Sequence, residues 1–277
     1  MYTQYWNLKE KPFETTPDPR FIYYSREYEE ALMRLFYTVR EQKGAMLLTG
    51  RYGCGKTVLS RVFLNELAGS KYEVALVNNP RCSSRELLEE IVYQLGQGNH
   101  HNKSKVELLR IFNDVIYANL TAHKETIIVI DEAQAIEDVE TFEELRLLLN
   151  FQQNDRYLLS LILVGQPELR KKLESLPQLM QRLAMRYHLD ALSEEDTISY
   201  IDHRLHVAGA TEQIFNFEAK KAVYKFSSGI PRCINNIADL ALLTAYGENK
   251  KIIDANIIDR VEADINGEVV WSDSLIS

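Results

Sequence analysis

The chain has 277 residues, 45% of them hydrophobic and 26% charged, which is ordinary for a globular protein with one large or two modest domains. Its formal net charge is −8, so the chain as a whole is not attracted to nucleic acid by its charge. Three cysteines lack metal-ligand spacing, no apolar run nears the roughly 18 residues that span a bilayer, and the start is neither a signal nor a transit peptide, which predicts a cytoplasmic protein without disulfides.

The patterns along residues 1–190 alternate between helix and strand. Residues 1–25 carry turn-forming prolines between aromatic residues and are expected to form an ordered arm. Apolar segments predict strands at residues 45–49, 74–77, 126–131 and 158–164. Helical periodicity and two Ser-x-x-Glu capping boxes predict helices at residues 27–39, 56–68, 83–95, 104–123 and 139–150.

The strand pattern stops near residue 190. Ser193 and Asp196 form a further capping pattern, and the residues after them are typical of three or four helices. Alternating strands and helices imply a parallel sheet covered on both faces. We therefore expect an α/β domain over residues 1–190, including the arm, and a small all-helical domain with a C-terminal tail over residues 191–277.

The segment after the first predicted strand has the spacing G-x-x-x-x-G-K-T of a phosphate-binding loop. Its glycines let backbone N–H groups turn toward the β-phosphate, Lys56 reaches the β- and γ-oxygens, and the Thr57 hydroxyl is a ligand for Mg²⁺. The helix that follows puts its N-terminus behind the phosphates. We therefore predict that a nucleoside triphosphate binds to Gly50, Arg51, Tyr52, Gly53, Cys54, Gly55, Lys56, Thr57 and Val58.

A later apolar strand ends in two acids. Residues 127–130 are followed by Asp131 and Glu132. In a triphosphatase, Asp131 would hold Mg²⁺ through its water shell and Glu132 would polarise the attacking water. Apolar strands often end in acids, but an upstream phosphate-binding loop makes the combination specific.

The apolar run at residues 161–164 is followed, after Gly165, by the polar side chain of Gln166. At the end of this strand the Gln166 amide is expected to lie between the two acids and the γ-phosphate, where it would orient the water. A plain strand-end turn at Gly165, Gln166 and Pro167 explains the same composition equally well.

Short strings along nearly the whole chain carry a family resemblance: YWNLKEKPF at 5–13, TPDPRFIY at 16–23, IDEAQ at 130–134, VGQPEL at 164–169, QRL at 181–183 and GIPRCIN at 229–235. With the order of phosphate loop, acidic strand end, polar strand end and helical lid, the chain resembles an AAA+ ATPase, more narrowly of the general secretion pathway protein A (ExeA-type) family. The resemblance implies ATP with Mg²⁺ as the bound nucleotide, and a helix-sandwiched parallel sheet followed by an all-helical lid.

The resemblance also implies roles for single residues. Gln166 matches the family's first sensor, and Arg232 matches the second sensor, a lid arginine that contacts the γ-phosphate. Arg182 matches the finger that one subunit supplies to its neighbour's nucleotide, with Arg186 as the alternative; a surface ion pair is the competing interpretation of either. A finger used in trans implies a ring or filament of identical subunits.

Two functions remain open. In the first, ATP hydrolysis drives assembly or remodelling of a cell-envelope machine for secretion, pilus formation or exopolysaccharide export, whose protein partners recruit the chain to the inner membrane. In the second, the chain is an ATP-dependent, DNA-binding regulator of transposition or target selection, with double-stranded DNA as its partner. The acidic net charge favours the first. A nucleotide switch that hardly hydrolyses is disfavoured, because both acids and a candidate finger are present.

Overall fold

The computed structural model describes residues 2–16, 18–67, 69, 71–98, 100–153 and 156–267. They form two compact units. The sheet unit consists of the described residues within Arg26–Tyr52 and Lys56–Asp190, and the helical unit of those within Met1–Ser25, Gly53–Gly55 and Ala191–Ser277. The predicted tail at 268–277 and residue 68, the predicted end of one helix, lie outside the described residues.

The described elements follow one another in a regular order. The strands are β1 (Ala45–Gly50), β2 (Tyr72–Val77), β3 (Glu125–Ile130), β4 (Gln152–Gln153), β5 (Arg156–Tyr157), β6 (Leu159–Gly165) and β7 (Leu183–Leu189). The helices are α1 (Tyr2–Tyr5), α2 (Arg26–Arg40), α3 (Lys56–Glu66), α4 (Ser84–Val92), α5 (Lys105–Thr121), α6 (Val139–Leu148), α7 (Pro167–Glu174), α8 (Pro177–Arg182), α9 (Glu194–Val207), α10 (Phe217–Ser227), α11 (Pro231–Gly247) and α12 (Ala255–Asn266). In the described part of the chain, none of these helices combines the length and the apolar character that a membrane crossing requires.

The sheet unit is built on a parallel sheet in the order β2-β3-β6-β1-β7. Strands β1 and β6 are buried along their whole length, and β3 along all but its first residue. Continuous burial of this kind is typical of strands covered by helices on both faces. The predicted α/β fold with a parallel sheet, followed by a helical part, is confirmed.

The edge strand β7 is not predicted by the sequence patterns. Among the described strands it pairs only with β1, and its residues alternate between buried or partly buried and exposed positions, with Arg186 and His188 exposed. An edge strand with polar exposed residues lacks the apolar run by which the central strands were recognised. The short antiparallel pair of β4 and β5 likewise lacks such a run.

Local capping of the helices agrees with the sequence. Both predicted capping boxes are present and reciprocal, with Ser83 and Glu86 opening α4 and Ser104 and Glu107 opening α5. At the start of α9, the Ser193 hydroxyl oxygen accepts a hydrogen bond from the Asp196 backbone N–H. These serines satisfy N–H groups that the first helical turn leaves without intrahelical partners.

The N-terminal arm forms part of the helical unit. Tyr2, Trp6, Phe13 and Phe21 are buried in the same cluster as apolar residues of α9 to α12. The arm therefore supplies the aromatic part of this unit's core, whereas the core of the sheet unit is mainly aliphatic. The assignment of residues 1–190 as a nucleotide-binding domain and 191–277 as its lid stays a prediction.

A buried arginine holds the arm to α9. Arg204 is 7% exposed, and its guanidinium donates to the carbonyl oxygens of Pro12 at 2.5 Å and Glu14 at 3.1 Å. It also donates to the Tyr200 hydroxyl at 2.8 Å, and that hydroxyl donates to Asn235 Oδ1 at 2.9 Å. The charge is thus satisfied by oxygens of the arm and of its own helix.

Candidate functional site

The predicted phosphate loop joins the end of β1 to the start of α3. Gly53 and Gly55 have φ angles of +84° and +95°, in the left-handed region that glycine adopts without a steric cost. Gly50 serves a different purpose, because a Cβ atom there would lie 2.6 Å from the Leu189 carbonyl oxygen of the neighbouring strand. The glycines of the motif thus shape the loop and allow β7 to approach it.

Lys56 is buried in the first turn of α3, with 5% of its surface exposed. Its ammonium group donates to the carbonyl oxygens of Gly50 at 2.9 Å and Arg51 at 3.0 Å. These two oxygens belong to the loop that Lys56 closes. The ammonium group therefore lies within the loop predicted to surround the phosphates.

The Thr57 hydroxyl donates to Asp131 Oδ2 at 2.8 Å. Asp131 follows β3 directly and is 3% exposed. Burial raises the pKa of its carboxyl group, while the hydrogen bond from Thr57 and the charge of Lys56 favour the ionised form. A divalent cation would offset the cost of this burial. The two adjoining oxygen atoms suit Mg²⁺, which takes oxygen ligands, so the residues present fit the metal that the family implies.

Glu132 has a left-handed backbone conformation, with φ 52° and ψ 35°, which is uncommon for a residue with a side chain. Its Oε2 atom accepts a hydrogen bond from the side-chain amide of Gln134 and a longer one, 3.4 Å, from that of Gln166. The structure thus brings Gln166 to the acidic strand end. Lys56, Thr57, Asp131, Glu132 and Gln166 form one cluster within the sheet unit.

Gln134 is a residue of this cluster that sequence reasoning missed. Its amide oxygen accepts a hydrogen bond from the Gln166 backbone N–H at 3.0 Å, while its amide nitrogen donates to Glu132. The sequence contains Gln134 within the string IDEAQ, but an amide two residues after an acid has no distinctive spacing. Only the folded chain brings it to Gln166.

Arg182 and Arg186 lie away from this cluster. Arg182 ends α8 and donates to the Tyr157 hydroxyl at 3.3 Å and to Asn150 Oδ1 at 3.1 Å. Among the residues that the structure describes, it forms no ion pair. Arg186 is exposed and donates to the Met180 carbonyl oxygen at 2.6 Å.

The register of β7 puts Arg182 at the amino ends of β1 and β7, whereas the phosphate loop follows the carboxyl end of β1. Leu183 is paired with Ala45 at the start of β1, and Leu189 with Gly50 at its end. A strand advances by about 3.3 Å per residue, so the two ends are about 20 Å apart. Arg182 is therefore too far from the phosphate loop of its own chain to contact a nucleotide there.

Arg232 belongs to the helical unit and lies in the first turn of α11. Its backbone N–H donates to the Gly53 carbonyl oxygen at 3.3 Å. A Cβ atom on Gly53 would lie 3.0 Å from Arg232 Cβ, so glycine is also favoured there by space. Of the other loop residues, Cys54 is buried and Tyr52 is 62% exposed.

Residues 39–173 match the AAA domain family. General secretion pathway protein A of Aeromonas hydrophila is 37% identical over 281 residues, which cover all of this chain and 51% of that protein. Two solved structures are similar in fold. Drosophila ORC bound to DNA has a TM-score of 0.72 at 16% identity, covering 96% of this chain and 66% of that one. Aeropyrum pernix ORC2 in its ADPNP-ADP complexes has a TM-score of 0.70 at 18% identity, covering 92% and 72%.

The two structural similarities, at these low identities, concern the fold alone. The chain spans about half the length of the curated relatives that it matches. The identity to the Aeromonas protein extends over the whole of this chain. It agrees with the AAA match, with the parallel sheet and with the short strings that carry the family resemblance. The chain belongs to the AAA+ ATPases of the general secretion pathway protein A type.

Proposed function

We propose that this chain binds ATP with Mg²⁺ at the loop of residues 50–57 and hydrolyses it. The observation that carries the proposal is the hydrogen bond of 2.8 Å between Thr57 and Asp131, with Lys56 and Glu132 in the same cluster. Two hard oxygens, a buried ammonium and a second carboxylate are the groups that phosphoryl transfer to water requires. ATP binding and hydrolysis are properties of the family to which the chain belongs.

Each residue of the cluster has a distinct part in the proposed reaction. Lys56 would exchange the carbonyl oxygens of its own loop for the β- and γ-phosphate oxygens. Thr57 and Asp131 would hold Mg²⁺, which would neutralise charge on those phosphates. Glu132 would polarise the attacking water, and the Gln166 amide would orient it.

Two arginines extend the proposal beyond this cluster. We assign Arg232 the role of a lid residue that reads the γ-phosphate, with residues 1–190 as the nucleotide-binding domain and 191–277 as its lid. We assign Arg182 to the nucleotide of a neighbouring subunit, since its distance from its own loop rules out a role in cis. This use in trans requires a ring or filament of identical chains, and Arg186 is the alternative finger.

The work that hydrolysis drives is proposed to be assembly or remodelling of a cell-envelope machine. The support is the 37% identity to a relative named for the general secretion pathway, of which this chain spans about half. In this proposal the chain acts on the cytoplasmic side, and protein partners bring it to the inner membrane.

A second candidate is an ATP-dependent, DNA-binding regulator of transposition or target selection. The similarity in fold to Drosophila ORC bound to DNA is the observation in its favour. The net charge of −8 weighs against it, because DNA attracts proteins with positive surfaces. We therefore rank it second.

Steady-state ATP hydrolysis by the purified chain tests both candidates. Rates are measured with and without long double-stranded DNA, and Glu132→Gln serves as the blank. Turnover that is lost in Glu132→Gln and is indifferent to DNA supports the first candidate, whereas strong stimulation by DNA supports the second. A wild-type rate no higher than the blank would contradict the ATPase proposal.

A further inference from the structure

The side chain of Gln134 joins two groups of the site that are far apart in the sequence. Its amide nitrogen donates to Glu132 Oε2, and its amide oxygen accepts from the Gln166 backbone N–H at 3.0 Å. Both polar ends of one short side chain are thereby used. Gln134 thus forms a continuous hydrogen-bonded link between the acidic strand end after β3 and the polar strand end after β6.

A side chain at the neighbouring residue 165 would force the atoms around this link to shift. A Cβ atom on Gly165 would lie 2.6 Å from Gln134 Oε1 and 2.7 Å from Leu169 Cδ2. The φ angle of Gly165 is not in the left-handed region, so glycine is favoured here by the close approach of the Gln134 amide and not by backbone strain. The end of β6 is therefore shaped to receive this amide.

The backbone of Gln134 is fixed as well as its side chain. The Lys172 ammonium donates to the carbonyl oxygens of Gln134 at 2.6 Å and of Ile136 at 2.9 Å. Lys172 lies on α7, and Gln166 is the residue that caps the start of the same helix. Helix α7 and its N-cap residue therefore contact both the side chain and the backbone of Gln134.

The orientation of Glu132 is determined by the same contacts. Its left-handed backbone is a conformation that persists only when surrounding contacts hold it. The amides of Gln134 and Gln166 both contact Oε2 of its carboxylate. A movement of Gln166 would displace the Gln134 amide and with it the carboxylate.

We infer that Gln134 is a positioning residue that couples the Gln166 sensor to the Glu132 carboxylate. The inference rests on the proposed ATPase function, and it adds a residue to which neither the motifs nor the family resemblance gave a role. Gln134 touches neither water nor phosphate in this scheme. Its removal lowers the rate of the chemical step and leaves nucleotide binding intact, because Lys56 and Thr57 are unchanged.

The test compares kcat and KM for ATP in Gln134→Ala with those of the wild type. A correctly placed general base contributes a factor of about 100 or more, so we expect kcat to fall about 10-fold or more when the base is misplaced. KM should stay within about 2-fold, because interactions made only in the transition state affect kcat. Gln94→Ala is the matched control, since Gln94 is exposed and its amide also donates to a glutamate, Glu90, at 2.8 Å.

Gly165→Ala perturbs the link while keeping Gln134. Its new methyl group should displace the amide and lower kcat by a comparable factor, and in the double variant the two losses should be less than additive. Wild-type kcat in Gln134→Ala, or a change confined to KM, would overturn the inference. Absence of turnover in the wild type would instead overturn the ATPase proposal, and the coupling role would fall with it.

Discussion

Each unit of this molecule contains a buried cation that donates to backbone carbonyl oxygens. Lys56 in the sheet unit is 5% exposed and contacts Gly50 and Arg51 of its own loop. Arg204 in the helical unit is 7% exposed and contacts Pro12 and Glu14 of the arm. Judged by burial and partners alone, the two residues are alike.

The surroundings of the two cations differ. The Arg204 guanidinium lies 4.9 Å from the centre of the Phe21 ring and 5.6 Å from that of Tyr200, and its planar group matches several fixed oxygens at once. Lys56 carries a point charge on a flexible stem beside Thr57 and Asp131. Burial of a cation thus does not by itself identify a functional site. The neighbouring side chains differ: aromatic rings surround Arg204, whereas the oxygen atoms of Thr57 and Asp131 lie beside Lys56.

Substitution of a third cation, Arg182, is expected to have the largest effect on ATP turnover. It is held by two neutral groups, Tyr157 and Asn150, and a finger arginine contributes a factor of about 1,000 or more to kcat. We expect Arg182→Ala to lose ATP turnover by about that factor. Mixed with the inactive Glu132→Gln, it should regain part of its activity, because some intact catalytic sites then have a neighbour that carries an intact finger.

Steady-state hydrolysis by the separate and mixed variants provides the measurement. Arg186→Ala is treated in the same way as the alternative finger. A mixture that stays inactive, or full activity of Arg182→Ala alone, would remove Arg182 from the proposed mechanism.

Lys56→Ala is expected to weaken nucleotide binding while leaving the stability of the folded chain nearly unchanged. Truncating one partner of a buried charged contact costs about 2–5 kcal/mol, so we expect the affinity for ATP to fall about 100-fold. The temperature of unfolding without nucleotide should hardly change, because removing the ammonium group also removes the cost of burying its charge, which offsets the two lost hydrogen bonds. Titration with a fluorescent nucleotide and thermal unfolding measure the two quantities, and unchanged affinity would show that Lys56 does not bind phosphate.

Arg204→Ala should have the reverse effect and act on stability. Two arm carbonyl oxygens would lose their donor, and a buried polar group without a partner costs about 1–3 kcal/mol. We expect the free energy of unfolding to fall by about 3 kcal/mol in urea titrations. Arg260→Ala is the control, because Arg260 forms an exposed ion pair with Glu248, a type of contact worth about 0–1 kcal/mol. Equal effects of the two variants would refute the structural role of Arg204.

The smallest expected effect concerns His203, the residue before Arg204. Burial lowers its pKa from the ordinary 6.5, and the charges of Arg204 and His206 lower it further, against a hydrogen bond with the Ile22 backbone that raises it. The unfolded chain therefore binds a proton at a higher pH than the folded chain does. Stability is at its full value above about pH 6.5 and decreases as the pH falls below it.

Urea unfolding between pH 7.5 and pH 5.5, values chosen on either side of roughly the unperturbed histidine pKa, measures this effect. His203→Gln should reduce the loss of stability at the acidic end more than His206→Gln does, because His206, an exposed neighbour on the same helix, acts on His203 only through its charge. An equal pH dependence of the wild type and His203→Gln would contradict the assignment.

Local patterns predicted the sheet and much of the candidate site. The phosphate loop is contiguous, so its glycine spacing and Lys56 could be recognised without knowledge of the rest of the chain. Thr57 and Asp131 are far apart in the sequence, but the carboxyl ends of parallel strands share an edge, and the structure joins them at 2.8 Å. The family and the fold class are confirmed, while the roles of Arg182 and Arg232 stay predictions.

Other features have no local pattern. The edge strand β7 alternates exposed residues such as Arg186 and His188 with buried or partly buried ones, so it has no continuous buried apolar run. Gln134 depends on a glycine at the end of another strand, where a Cβ atom would lie 2.6 Å away. The arm is linked to α9 by Arg204 across about 190 residues of sequence. Each of these depends on which groups become neighbours after folding.

The sequence by itself determined the fold class, the family, the phosphate loop and the two acids, because these depend on periodicity and on short, fixed spacings. The tertiary structure decided which side chains contact the carboxylate of Glu132 and at which end of the strands Arg182 lies. It also decided that the buried Arg204 joins the arm to α9. The physical reason is that hydrogen bonds and excluded space act over a few ångströms in the folded chain. The order of residues alone does not specify those distances.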